Sequence, residues 1–292
     1  MNFQQWKDSG QYFDYKGHQI FYQQTEGKAE TLLLLHGFPT ASWDWHKLWP
    51  QLAGRFQLIA PDYLGFGYSD KPRPYPYSIL DQADMVETLL AQKGITKVHI
   101  LAHDYGDTVL QELLARFIDR LDQSTKGLRL QSVVLLNGGI FPDAHQPRFI
   151  QKALISPLGF LLVPFLSKAM LRRNFHAIFG PDTPPSEQEI DEFYALMEYN
   201  KGKYIFHRLI RYMAERRQHR ERWFHALAQC PVPLRLINGP EDPISGRLMI
   251  DYYYQHIPHP DVVELKGIGH YPQTEAPEQV LHHYFEFLQT LP

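Results

Sequence analysis

Asp104 stands where the apolar run KVHILAH meets Tyr105-Gly106-Asp107 and then the helical periodicity of TVLQELLARF. A carboxylate at such a strand-to-helix turn is presented on a sharp, strained bend, a nucleophile elbow. The bend admits only small residues two positions to either side, and here these are Ala102 and Gly106. Centring the same pattern on Asp107 puts Tyr105 and Val109 in those places, so Asp107 reads instead as a first-turn carboxylate suited to the helix dipole. An aspartate that opens a helix is by itself more often a cap. Its companions decide the reading.

The first companion is His36-Gly37-Phe38-Pro39, which leaves the run TLLLL. The backbone N–H groups of Phe38 and Tyr105 would face each other as an oxyanion hole. The second is Asp242 in NGPEDPIS, just past LRLIN, and the third is His270 in KGIGHYPQ, just past VVELKG. Nucleophile, acid and histidine in that chain order, each on a loop at a strand end, form the catalytic arrangement of one well-populated enzyme architecture. Asp143 in IFPDAH is the rival acid, but it lies farther from its strand end. A carboxylate nucleophile suits attack on an sp3 carbon to give an alkyl ester, which a histidine polarised by an acid then hydrolyses; a serine would suit acyl transfer. This chemistry calls for no cofactor and no metal.

These residues need a sheet to hold them. Residues 12–24 predict two strands turning at Lys16-Gly17, and Thr31–Leu35 is a wholly apolar run of the buried parallel kind. Phe56–Ala60, Val98–Ala102, Val133–Asn137, Leu234–Asn238 and Val262–Leu265 repeat that signal between amphipathic helical stretches. The alternation predicts an α/β architecture, a mostly parallel sheet with helices on both faces.

The rhythm breaks once. Residues 141–229 read as helices without strands, an insertion between core segments 1–140 and 230–292. Ser186 to Glu189 has the form of a capping box after Pro184-Pro185 and predicts a helix start. Arg216, Arg217, Arg220 and Arg222 read as a solvated helix face. The apolar stretch Ala153–Leu171 is broken by Pro157, Gly159, Pro164, Ser167 and Lys168, so it predicts the lining of a substrate cavity rather than a membrane span. Phe160, Phe165, Phe175, Phe179 and Trp223 read as core of the insertion or walls of that cavity.

A net charge of -3 over 292 residues provides no basic field, which argues against nucleic acid or a membrane surface as partner and for a small neutral substrate. Cys230 stands alone, reads as a small core residue and excludes an intrachain disulfide. With no signal-peptide pattern at MNFQQWKDSG, a cytoplasmic setting is expected. Oligomeric state has no signature in the sequence.

At HGFP, PDYLGFGYSDKP, HDYGD, NGGIFP, GPEDP and GHYPQ the chain resembles the epoxide hydrolase and haloalkane dehalogenase branch of the α/β-hydrolases. LLLLHGFPT, LGFGYSDKPRP and the same later motifs together look like the mesoderm-specific transcript homologue family. The resemblance implies an eight-stranded α/β-hydrolase fold with 141–229 as a helical cap. It also implies Asp104 as alkylated nucleophile, His270 as base for water and Asp242 as its orienting acid.

Dehalogenases of this branch usually carry a tryptophan after the nucleophile and a second N–H donor after HG, where this chain has Tyr105 and Phe38. Epoxide opening instead takes a proton from a cap tyrosine, and the insertion offers Tyr194, Tyr199, Tyr204 and Tyr212. Tyr212 is the expected acid because RLIRYMAERR precedes the return to the core. The expected activity is therefore opening of a small apolar epoxide. Haloalkane dehalogenation, ester cleavage or ligand binding without turnover stand as alternatives.

Overall fold

The computed structural model describes residues 1–27 and 30–291. Its centre is an eight-stranded sheet in the order β1-β2-β4-β3-β5-β6-β7-β8. The strands are β1 (Gln11–Tyr15), β2 (His18–Gln24), β3 (Thr31–Leu35), β4 (Gln57–Pro61), β5 (Lys97–His103), β6 (Arg129–Leu136), β7 (Leu234–Asn238) and β8 (Val262–Glu264). β1 and β2 form an antiparallel hairpin whose turn residues, Lys16 and Gly17, both have positive φ (54° and 80°). Such a turn matches the right-handed twist of its strands. From β3 to β8 the pairing is parallel throughout. All five residues of β3 are buried, as a strand covered by helices on both faces requires.

Between β3 and β5 the winding reverses, since β4 lies on one side of β3 and β5 on the other. The loops leaving β3 and β5 therefore diverge and open a crevice at the strand ends. Phe38 and Asp104 lie on those two loops.

Four helices belong to the first core segment: α1 (Phe3–Ser9), α2 (Trp49–Ala53), α3 (Ile79–Gln92) and α4 (Tyr105–Asp122). Between β6 and β7 come α5 (Phe149–Ile155), α6 (Lys168–His176), α7 (Glu187–Glu198), α8 (Phe206–Leu209), α9 (Tyr212–Gln218) and α10 (Arg220–Ala228), with no strand among them. α11 (Arg247–His256), α12 (Pro272–Glu275) and α13 (Pro277–Gln289) complete the chain. α7 starts at the expected capping box, the Ser186 hydroxyl accepting from the Glu189 N–H and the Glu189 carboxylate accepting from the Ser186 N–H.

Polar clamps fix the inserted helices to the core. From α9, Glu215 accepts the Ile79 N–H at 2.8 Å, meeting an otherwise unpaired donor at the start of α3. From α10, the Trp223 indole N–H donates to Glu112 of α4 at 2.8 Å, and Arg222 pairs with Glu112 and Asp119. Arg220 pairs with Asp143 at 2.7 Å. The arginine cluster is thus not a solvated face. Arg216, Arg220 and Arg222 all reach carboxylates outside their own helices, because those helices lie on α4 and the elbow; Arg217 alone of the four is exposed.

Phe175, Phe179 and Trp223 are buried, as expected of core aromatics. Phe160 and Phe165 are not: they are 50% and 71% exposed. Short 3-10 turns at Gly159–Leu161 and Val163–Phe165 replace a continuous helix there, burying Gly159, Val163 and Leu166 and turning the residues between them outward. The stretch Ala153–Leu171 divides accordingly. Leu154, Leu166, Met170 and Leu171 line a cleft, while Leu158, Leu161 and Leu162 face outward. No helix among the described residues is long and apolar enough to cross a membrane.

Candidate active site

Asp104 has φ 46° and ψ -99°, a strained backbone for a residue with a Cβ. The strain is held by packing. A Cβ at Gly106 would stand 2.2 Å from the Leu35 carbonyl oxygen, so α4 can start this close to β3 only with glycine there. The turn lifts the Asp104 carboxylate out of the strand line, and the Phe38 N–H donates to its Oδ2 at 3.1 Å. The Tyr105 N–H begins α4, where it has no intrahelical acceptor. The HGFP loop itself is braced by His36, whose Nδ1 bonds the Gly37 carbonyl and whose Nε2 accepts the Tyr63 N–H at 3.1 Å. Burial pushes His36 down to about 3, so it is a neutral brace.

Asp242 and His270 arrive from the ends of β7 and β8. His270 Nδ1 meets Asp242 Oδ2 at 2.7 Å. Asp242 is itself fixed by the Ile244 N–H at 2.8 Å, the Ser245 hydroxyl at 2.6 Å and the Asn137 amide at 3.1 Å. With Nδ1 so engaged, Nε2 is the nitrogen left for proton transfer. The rival, Asp143, lies on the surface with Arg220.

The charges are tightly linked. For Asp104, burial would raise the carboxyl, but the Arg216 charge, then His270, His103 and the Phe38 amide, outweigh it and hold the group below its usual range. For His270, burial would lower the ring, but the Asp242 charge and hydrogen bond, with the Asp104 charge, lift it to about 9. Asp107, in the first turn of α4 as expected, is fully buried; burial and the neighbouring Asp104 push it well above the usual carboxylate range.

Arg216 is the site residue that sequence reasoning missed. It is 2% exposed, its Nε donates to the Thr108 hydroxyl at 2.7 Å, and its Nη2 donates to the Asp104 carbonyl at 3.0 Å. The same nitrogen stands 3.5 Å from Asp104 Oδ1. Nη1 is buried without a hydrogen-bond partner, as are both ring nitrogens of His145 beside it. An arginine inside an R-rich helix carries no sequence mark of burial; Gly138-Gly139 is the nearest signal, because a Cβ at Gly139 would stand 2.2 Å from Nη1.

Of the four tyrosines, Tyr212 alone comes to the elbow. It is 1% exposed, its ring lies 4.9 Å from Tyr105 and 6.1 Å from Phe38, and its hydroxyl is buried without a partner. Burial first, and then the Asp104 charge, push that hydroxyl upward. Tyr194 bonds Glu198, Tyr199 packs on Tyr68, and Tyr204 lies beside Arg73. The Tyr105 ring packs among Tyr63, Phe66 and Tyr212, with its hydroxyl toward Gln82 rather than Asp104.

An apolar cleft lined by Ile150, Leu154, Met170, Phe175 and Phe206 runs under the insertion and ends at Phe38 and Pro39. Asp104, 4% exposed, lies just behind Phe38.

Residues 30–277 match the α/β-hydrolase fold family. The mesoderm-specific transcript protein of Mus musculus is 42% identical over 98% of this chain and 87% of its own length. This chain is an α/β-hydrolase of the mesoderm-specific transcript family. Another relative, the putative hydrolase LipZ of Mycobacterium tuberculosis, is 40% identical over 94% of this chain and 93% of its own. Among solved α/β-hydrolases, a haloalkane dehalogenase loop variant from Bradyrhizobium elkanii superposes with TM-score 0.81 at 23% identity, covering 97% of both chains. The epoxide hydrolase CorEH superposes with TM-score 0.78 at 19% identity over 97% of this chain and 99% of its own. At such identity the two structures speak to the fold.

Proposed function

We propose that this α/β-hydrolase opens a small apolar epoxide to a diol in two steps through an alkyl ester of Asp104, with residues 141–229 as its cap. The observation that carries the reading is the Asp104 carboxylate, held ionised on a strained elbow with Oδ2 already on the Phe38 amide. In the first step Oδ1 attacks an epoxide carbon and the C–O bond breaks. Tyr212, whose hydroxyl has no other partner, gives its proton to the departing oxygen. Ester formation removes the Asp104 charge, and two things follow. Arg216 loses its anion and turns its field on the negative charge developing on the leaving oxygen, which is stabilisation specific to the transition state. His270 loses one of the charges that keep it protonated, so its pKa falls and it becomes competent as a base.

In the second step His270, oriented by Asp242, takes a proton from water, and the water oxygen adds to the carboxyl carbon of the ester. The Phe38 and Tyr105 amides hold the resulting oxyanion, each worth about 2.7–4 kcal/mol in comparable hydrolases. Collapse expels the alkoxide, which takes the proton of the re-formed Asp104 carboxyl and leaves as the diol, while the proton that His270 sheds on becoming a base returns the Tyr212 phenolate to its hydroxyl. The lining of the cleft, mostly aliphatic and aromatic, suits an apolar substrate.

A second reading, dehalogenation, is favoured by one observation: the buried, unpartnered Nη1 of Arg216 is a cationic N–H donor able to receive a halide. The discriminating experiment uses a His270→Gln variant incubated with terminal epoxides and with 1-haloalkanes, followed by intact-mass and peptide mass spectrometry. An adduct on Asp104 from epoxides, stable for many turnovers of the native enzyme, is expected. Absence of any adduct overturns the two-step mechanism. An adduct from haloalkanes alone moves the assignment to dehalogenation.

A further inference from the structure

The outer face of the insertion is apolar to an unusual degree. Phe149 is 85% exposed, Phe165 71%, Leu158 63%, Leu161 52% and Phe160 50%. These side chains come from one continuous stretch, the start of α5 and the two 3-10 turns after it. Exposed hydrophobic residues scattered singly are ordinary; a cluster of large ones on one element marks a contact surface.

The charge around the cluster identifies what it meets. Between Asp143 and Asp182 the sequence holds no acidic residue but has Arg148, Lys152, Lys168, Arg172 and Arg173. Against a whole-chain charge of -3, this segment carries +5 and the remainder -8. Lys168 and Arg172 are paired with Asp191 and Glu187 of α7, whereas Arg148, Lys152 and Arg173 have no carboxylate partner among the described residues. Arg208 and Arg211, from the α8 side that packs on α5, add two more cations of the same kind. The acids of α7 next to this stretch, Glu187, Asp191 and Glu198, are taken up by Arg172, Lys168 and Lys203, so the charge left over is basic; exposed apolar side chains on a stretch with surplus basic charge suit the headgroup region of an anionic bilayer. A second copy of the chain is disfavoured by the same feature, because an isologous contact would press the basic rim against itself.

We infer that this face docks on an anionic lipid surface, with Phe149, Phe165 and the leucines of the two turns immersed and the unpaired basic residues among the phosphates. The inward side of the same stretch supplies Leu154 and Leu166 to the cleft lined by Phe38. A bilayer-dissolved substrate would meet this cleft from the docked face, with Asp104 behind the Phe38 that lines it. Docking itself does not depend on which bond Asp104 attacks. Whole-chain net charge, the basis for expecting no membrane partner, conceals this local field.

The test is flotation of the full chain with vesicles of phosphatidylcholine alone and of phosphatidylcholine with phosphatidylglycerol at about 3:1. The native protein is expected to float with the anionic vesicles and to be released by high salt. A Phe149→Ser/Phe165→Ser variant and a Lys152→Glu/Arg173→Glu variant should each partition about tenfold less or worse, while adduct formation on Asp104 in a vesicle-free assay stays unchanged. The inference is overturned if the native protein does not float, or if both variants float as it does. It is also overturned if the native chain sediments without lipid as a dimer that the double-serine variant dissolves.

Discussion

The strand-end edge of the sheet and the inserted helices supply the site by different means. At the edge, each group is fixed by backbone and short range: a left-handed φ at Asp104, an amide from Phe38, and Asp242 caged by Ile244, Ser245 and Asn137. From the insertion, Arg216 reaches Asp104 and Tyr212 packs on Tyr105 and Phe38 beside it, on side chains carried by the seven-residue helix α9, which is held to the core by Glu215 and Arg216 themselves. The edge builds the proposed nucleophile and base. The insertion sets the charge around them and is placed by buried apolar side chains such as Leu209, Trp223 and Leu227 together with a few polar clamps.

The largest break is at the edge. Asp104→Asn keeps the shape and removes the nucleophile, so turnover should fall by about 10^4-fold or more, with no mass adduct on the protein. A variant that keeps its rate would place the nucleophile elsewhere. Asp242→Asn should fall short of that, leaving His270 in place but lowering its pKa from about 9 because the ring loses its largest favourable charge.

The next largest belongs to the insertion. Arg216→Leu leaves Asp104 buried without its cation, which costs about 3–5 kcal/mol of stability and raises the Asp104 pKa. In the native protein Asp104 is depressed, so its contribution to stability is present above the ordinary carboxylate range and is lost as pH falls through its folded value. In the variant the acid limb of kcat/KM should move to higher pH. Arg222→Leu, in the neighbouring helix but remote from Asp104, should leave that limb in place. Equal shifts in both would mean that Arg216 acts only as a fold clamp.

His270 sharpens the comparison in the opposite direction. Its folded pKa, about 9, lies above the unfolded value near 6.5, so its stabilising ion pair is fully present below 6.5 and is lost as pH rises through 9. Thermal melts should show that alkaline decline in the native chain and not in His270→Gln. Since the esterified enzyme lacks the Asp104 charge, the acid limb seen in kcat should have its midpoint below 9, with the rate rising as His270 loses its proton.

The smallest effect on stability is expected at Tyr212. Its hydroxyl has no partner at full hydrogen-bond geometry, although the Arg216 guanidinium lies beside the ring, so Tyr212→Phe should change unfolding free energy by less than about 1 kcal/mol while slowing epoxide turnover roughly 10^2-fold. A halide-releasing substrate should be unaffected, which separates the two leaving groups. A large loss of stability would reveal a structural role that the hydroxyl's isolation does not suggest.

The strands and the elbow were legible in the sequence because their constraints are local. TLLLL is buried on both faces whatever surrounds it, and Gly106 follows Asp104 at the one spacing that lets α4 begin against Leu35. Loops after β3, β5, β7 and β8 gather at one sheet end because parallel connections must, so Phe38, Asp104, Asp242 and His270 could be paired from spacing alone. The capping box at Ser186 was equally local.

What the sequence left open lies where orientation counts. Arg216 and Arg217 are adjacent and chemically identical, yet one is buried on Asp104 and the other is in water, since a helix turns successive residues about 100° apart. Phe165 and Phe175 are both aromatic residues of one apolar region; a 3-10 turn exposes the first and a helix buries the second. The sequence by itself determined the sheet, the elbow and the chain order of Asp104, Asp242 and His270 at the strand ends, because hydrophobic runs and glycine constraints act on neighbours along the chain. Only the tertiary structure decided which arginine faces Asp104, which of four tyrosines overhangs it and which phenylalanines point outward, because those depend on how helices rotate when packed on a core they do not adjoin in sequence.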